Sequence, residues 1–119
     1  MADIRMGPAE TQFAEIIWKY EPITSGLLSK KAEEVLCWKK TTSFTVLKRL
    51  CERGIFQNQK GIVTALISRE EFYARHSEAY VQDTFGGSLP AFMAAFSTRK
   101  KLTDKEIDEM KDLIEKMRG

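Results

Sequence analysis

The chain has 119 residues, 43% of them hydrophobic, and a formal net charge of +2; that suffices for one small domain, or one domain with a short appendage. No apolar run approaches the roughly 18 residues of a membrane span, and Met1 to Pro8 lack the apolar stretch of a secretory signal, so a cytoplasmic location is expected. Cys37 and Cys51 are isolated and there is a single His, which excludes a zinc site and a disulfide scaffold; no Gly-rich phosphate loop or nucleophile–base spacing is present, so neither an enzyme nor a cofactor is expected.

The first element begins at Gly7-Pro8, with Pro in the opening turn. Phe13, Ile16, Ile17 and Tyr20 then repeat at i, i+3, i+4, i+7, an amphipathic helix of about three turns. Glu21-Pro22 ends it, because the residue before Pro is pushed out of the α region. Thr24 or Ser25 supplies the next N-cap, for a helix to about Val35. Its apolar stripe is Leu27, Leu28, Ala32 and Val35, with Ser29, Lys30, Glu33 and Glu34 outside. Leu36-Cys37-Trp38 connects it to the stretch Trp38–Gly54, around which the rest of the chain is organised.

At about 100° per residue, Phe44, Val46, Leu47, Leu50 and Cys51 fall on one side of that third helix, its expected core face. Thr41, Thr42, Thr45, Lys48, Arg49, Glu52 and Arg53 fill the other. Hydroxyls in the first turns and cations further along suit base edges and phosphates in a DNA major groove. The charge distribution agrees. Residues 1–29 sum to −2, residues 30–60 to +5 and residues 61–119 to −1, so the whole positive excess lies around this helix. Gly54 is placed to close it at C′, and Trp18 and Trp38 read as core or hinge residues.

Ile55–Gln59 and Ile62–Ile67 are β-prone runs around Lys60-Gly61, a hairpin. Three short helices followed by a hairpin form a winged helix-turn-helix, with Lys60 at the tip of the wing near a phosphate. Ser68 and Glu71 are spaced as a capping box opening a fourth helix, with Phe72, His76, Ala79, Tyr80, Val81 and Phe85 on its apolar side; Gly86-Gly87 ends it. His76 has no catalytic partner and reads as packed or exposed. Ser88 caps a short, nearly all-apolar helix with Pro90 in its first turn. Thr103 and Glu106 form a second capping box, with Leu102 and Ile107 as a hydrophobic staple. In the terminal helix Ile107, Met110, Ile114 and Met117 make a narrow seam, widened by Leu113, of the kind that packs on another helix. The region after the hairpin carries more apolar surface than it can bury alone. It is expected to fold back on the first domain or to pair with a second copy, and pairing is the expectation adopted.

These features resemble the penicillinase-repressor and methicillin-resistance-repressor (BlaI/MecI) family of bacterial transcriptional regulators. The resemblance runs from about Gly7 to the end. It is carried by Ala9-Glu10, Ile16-Ile17-Trp18-Lys19, Ile23-Thr24, and Trp38 with Thr42, Thr45, Leu47, Arg49, Leu50 and Gly54. Gly87-Ser88-Leu89, Phe96, Leu102-Thr103, Glu106-Ile107 and Leu113 continue it. It implies a mainly α fold with a small β-hairpin: a winged-helix DNA-binding domain at residues 1–69, then a helical dimerisation region at 70–119. It also implies repression by a homodimer on an inverted-repeat double-stranded DNA operator, and DNA contacts at Thr42, Thr45 and Arg49. The helical wheel and charge count add Lys39, Lys40, Thr41 and Lys48, and the hairpin adds Lys60.

The dimerisation residues expected are Phe72, Tyr80, Phe85, Leu89, Phe92, Met93, Phe96, Leu102, Ile107, Met110, Ile114 and Met117. The sequence departs from the family in three places. Trp38-Lys39-Lys40-Thr41-Thr42 stands where members commonly have Trp-Ser-Pro-Lys-Thr, and Ile62 stands where the wing often has Arg. Ala95-Phe96 replaces the Asn-Phe bond at which relatives are cut after a membrane-bound sensor protease is triggered, so Ala95 and Phe96 mark the corresponding release position. The C-terminal cysteine cluster of copper-responsive relatives is absent. Two other functions suit the same residues: a winged-helix module whose basic face docks an acidic protein, and a ligand- or redox-responsive regulator using Cys37 or Cys51.

Overall fold

The computed structural model describes residues 3–119; Met1 and Ala2, which begin the N-terminal stretch read above for a signal, lie outside the described residues. The elements in order are α1 (Pro8–Tyr20), β1 (Ile23–Thr24), α2 (Ser25–Leu36), α3 (Lys40–Glu52), β2 (Phe56–Gln59), β3 (Ile62–Ala65), α4 (Arg69–Phe85), α5 (Leu89–Ser97) and α6 (Asp104–Met117). The chain divides into two compact units, the first ending at Ser77 and the second spanning Glu78–Gly119.

In the first unit, α1 to α3 and a small antiparallel sheet surround one core. Pro8 opens α1 at its first position, and the Thr24 hydroxyl caps α2 by accepting from the Leu27 N–H at 3.2 Å. The core comprises Phe13, Ile17, Leu28, Leu50, Ile55, Phe56 and Val63, with Phe72 beside them. Both tryptophans pack against this core, as their size suggests. Trp38 stacks on Phe13 at 5.2 Å. Trp18 packs against Phe56 and Phe72, and its indole N–H donates to the Ile67 carbonyl at 3.0 Å.

The sheet has the order β1-β3-β2. The hairpin pairs Phe56 with Ala65 and Gln59 with Ile62. Its two-residue turn uses positive φ at both Lys60 (53°) and Gly61 (84°), the geometry whose twist matches the flanking strands. β1, unforeseen from sequence, pairs Ile23 with Val63.

Three expectations about faces are corrected. Phe44, placed on the core side of α3, is 37% exposed, and the buried set is Ser43, Val46, Leu47 and Leu50. In α2, Leu27 and Val35 are exposed while Ser29 is buried, since the helix sinks a narrower stripe than its apolar content suggests. Phe72 is buried in the first unit's core, so it is not available to a dimer interface. The first turns of α4 belong with the winged helix and carry that unit past residue 69 to Ser77.

The capping box at Ser68 is half formed. Its hydroxyl accepts from the Glu71 N–H at 3.1 Å, but the Glu71 carboxylate accepts instead from Arg75, one turn on, at 2.8 Å. Glu15 adds polar ties between α1 and α4 to the packing of Trp18 on Phe72. It accepts from Arg69 Nε at 3.0 Å and from the Tyr73 hydroxyl at 2.7 Å. Burial pushes the Glu15 carboxyl up, but these two donors outweigh it and hold the carboxyl below its ordinary 4.5. A depressed carboxyl stabilises the fold above its unfolded value, and that contribution is lost as pH falls through the folded value. The cluster is half exposed, so it contributes less than about 1 kcal/mol. Glu15→Gln is therefore expected to lower the urea midpoint slightly at about pH 6, with the difference from the wild type shrinking as pH falls.

The second unit holds the C-terminal part of α4 with α5 and α6. Gly86 and Gly87, at φ 61° and 85°, terminate α4. Thr103 and Glu106 form the full reciprocal capping box of α6, through bonds of 3.0 and 3.1 Å. An aromatic cluster joins Tyr80, Phe85, Phe92 and Phe96, with ring centroids 5.6–6.2 Å apart. No residue of α5 or α6 is fully buried. Leu89, Phe96, Ile107, Leu113, Ile114, Tyr80 and Met117 remain exposed. No helix among the described residues is long and apolar enough to cross a membrane.

Candidate nucleic-acid interface

α3 is held by what lies beneath it. Val46, Leu47 and Leu50 anchor it in the core, and its C-terminus closes through Gly54, at φ 81°. There the Ile55 N–H donates to Leu50 O at 3.2 Å and the Gly54 N–H to Cys51 O at 3.0 Å, the paired bonds of a Schellman stop. With inward residues so fixed, Lys39, Lys40, Thr41, Thr42, Thr45, Lys48 and Arg49 are all exposed. Lys60 is exposed at the tip of the wing.

The start of the helix is chemically open. Lys39 occupies the N-cap and makes no side-chain cap bond, so the first amide N–H groups keep their donor capacity. Two lysines at the positive end of a helix dipole are unfavourable for an isolated helix. An anion placed there would be met by amide donors and by both ammonium groups. One turn on, the Thr45 hydroxyl donates to Thr41 O at 2.9 Å, which fixes its rotamer.

Arg49 is differently placed from the threonines. Its guanidinium lies 3.2 Å from Glu10 Oε2, with Arg53 at 3.6 Å from the same oxygen, while Glu10 Oε1 accepts from the Gly7 N–H at 3.2 Å. One carboxylate thus braces the start of α1 against the last turn of α3. This pairing spans 39 residues and has no local signature in the sequence. Arg53 also donates to the Arg5 carbonyl, and the Asp3 N–H donates to Arg53 O at 3.0 Å, which seats the N-terminal segment on the end of α3.

Cys51 is half buried, and burial, with a smaller contribution from Glu52, pushes its thiol up. It stays protonated at neutral pH, the wrong state for a redox-sensing nucleophile. Cys37 is exposed at the left-handed end of α2. A cleft of about 670 Å³ between α1 and the start of α4 is lined by Glu15, Trp18, Tyr20, Glu21 and Arg69 among others. Glu15 and Arg69 are partnered with each other, and Glu21 accepts from the Ala65 N–H; the cleft aims none of these three at a ligand. No cluster of metal-ligating side chains exists among the described residues. In the second unit, Ala95 and Phe96 are exposed within helical α5.

Comparison with known proteins agrees with this geometry. The family model of the penicillinase repressor matches residues 6–116. A penicillinase repressor of Bacillus licheniformis is 23% identical over 115 residues, covering 93% of this chain and 90% of that protein. One of Staphylococcus aureus is 18% identical over 115 residues, covering 93% and 91%. The solution structure of the DNA-binding domain of the repressor BlaI superposes with a TM-score of 0.54 at 25% identity, over 60% of this chain and 93% of that one. The chain belongs to the penicillinase repressor family, whose members are DNA-binding transcriptional regulators and not enzymes.

Proposed function

We propose that this protein is a transcriptional repressor that binds an inverted-repeat operator as a homodimer, with α3 in the major groove and the hairpin as its wing. The observation that carries this reading is the exposed face of α3. An uncapped start with two lysines, three exposed threonines and an exposed Lys48 belong to a helix anchored through its buried face. Phosphates at the helix start and along Lys39, Lys40, Lys48 and Lys60 would set affinity; Thr41, Thr42 and Thr45 would choose bases.

Arg49 plays a different part. Because Glu10 already holds its guanidinium, the DNA contact expected of it goes to the phosphate backbone, and it also serves the α1–α3 brace. Arg49→Ala is expected to weaken operator and unrelated duplexes alike, by tenfold or less, in parallel titrations. A loss confined to the operator would place Arg49 among the base-reading residues instead.

Dimerisation falls to the second unit. Its exposed Leu89, Phe96, Leu113, Ile114 and Met117 form the kind of apolar surface that small soluble domains cover by association. Tyr80, Phe85, Phe92, Met93, Leu102, Ile107 and Met110 complete the proposed interface. Release by a sensor protease, if this chain uses it, would require the Ala95–Phe96 bond to leave its helix, since a cleaved bond must first become accessible and extended. Selection of genomic fragments by the purified full chain tests the proposal. Enrichment of one inverted repeat supports it; salt-sensitive capture of an acidic protein with no enriched sequence would favour the protein-docking module instead.

A further inference from the structure

The face of α3 carries one residue that its chemistry does not predict. Phe44 is 37% exposed and lies outside the core cluster. It is flanked by the exposed Lys40, Thr41, Thr45 and Lys48, and the Lys40 ammonium sits over its ring at 5.8 Å. Beside it runs a groove of about 260 Å³ between α3 and β2, lined by Phe44, Leu47, Lys48, Cys51 and Asn58.

We propose that Phe44 is a specificity-determining residue that reads a thymine 5-methyl group in each half-site. This rests on the DNA-binding reading above and refines it. A phenyl ring between two lysines is a poor surface for another apolar protein patch, because docking there would strip water from both ammonium groups without partners. The DNA major groove offers the complementary pattern: phosphates for the cations at its walls, and at its floor a single apolar group, the methyl of thymine. Lys40 over the ring holds the phenyl in position from one turn away, while its ammonium remains free for a phosphate.

The test is a uracil scan. Each thymine of the half-site enriched by fragment selection is replaced in both half-sites by uracil, which keeps the base-pairing edge and removes only the methyl. At one position the replacement is expected to lower wild-type affinity about fourfold per half-site, the effect of one buried methyl-sized group. Phe44→Ala should show no difference between thymine and uracil there, while Phe44→Leu should keep a partial one. As an exposed position, both variants should retain the wild-type circular dichroism and thermal midpoint, which separates a folding defect from lost recognition. An enriched operator with a flat scan, or with an equal loss in wild type and Phe44→Ala, overturns the role of Phe44 alone. No enriched sequence at all overturns it together with the DNA-binding reading.

Discussion

Phe72→Ala is expected to destabilise the winged helix by about 3–5 kcal/mol, the usual cost of emptying a buried aromatic site. The ring is 1% exposed. Trp18 lies 5.2 Å from it, Tyr73 meets it edge-on at 5.1 Å, and His76 stacks on it at 5.8 Å. Removing it leaves Trp18 with Phe56 and Tyr73 but opens a cavity between α1 and the first turns of α4. Domains of this size have total stabilities of roughly 5–15 kcal/mol, so the variant should lose a large share of its folded population on mild heating. Urea unfolding at fixed protein concentration measures the loss, and sedimentation equilibrium under native conditions separates it from association. A loss below about 1 kcal/mol, with a weakened dimer instead, would show that the ring serves the subunit interface.

Replacing Lys39, Lys40 and Lys48 together by Gln should have the largest effect on DNA binding. Each phosphate neutralised contributes about −0.9 to the slope of log K against log salt on duplex DNA. Three contacts per chain, doubled in a dimer, make the expected change in slope about 5, with affinity at ~0.1 M salt down by two orders of magnitude or more. The loss should be similar for operator and unrelated duplex, because phosphate contacts carry no sequence information. All three side chains are exposed, Lys39 and Lys40 at the uncapped start of α3 and Lys48 two turns on, so the fold should tolerate the change. An unaltered salt slope would place the phosphates elsewhere on the molecule.

Much of the fold was legible because it is written locally. Helical periods located α1 and α3, glycine at positive φ marked the ends of α3 and α4 and the hairpin turn, and Thr103 with Glu106 announced the start of α6. What escaped depends on distant partners. β1 is two residues long, too short for any period, and exists because Val63 lies opposite Ile23. Glu71 had a choice of local partners and took Arg75 rather than Ser68. Phe72 fits the apolar side of α4, yet its location is decided by Trp18, far back in the chain.

The candidate site follows the same division. The cations and threonines of α3 were evident as one arc. Phe44 sits at the edge of that arc, where an angular reading cannot separate core from surface. The restraint of Arg49 by Glu10 is a tertiary fact with no trace in the third helix itself.

In the proposed complex two copies of α3 enter successive major grooves of one operator. Methylation protection of guanine N7 on the selected duplex is its sharpest test, since N7 lines the major groove. Two protected patches with centres about 10–10.5 base pairs apart, or a multiple of that spacing, are the predicted result, both lost in the triple lysine variant. Protection of a single patch, or binding with every guanine N7 fully reactive, would contradict it.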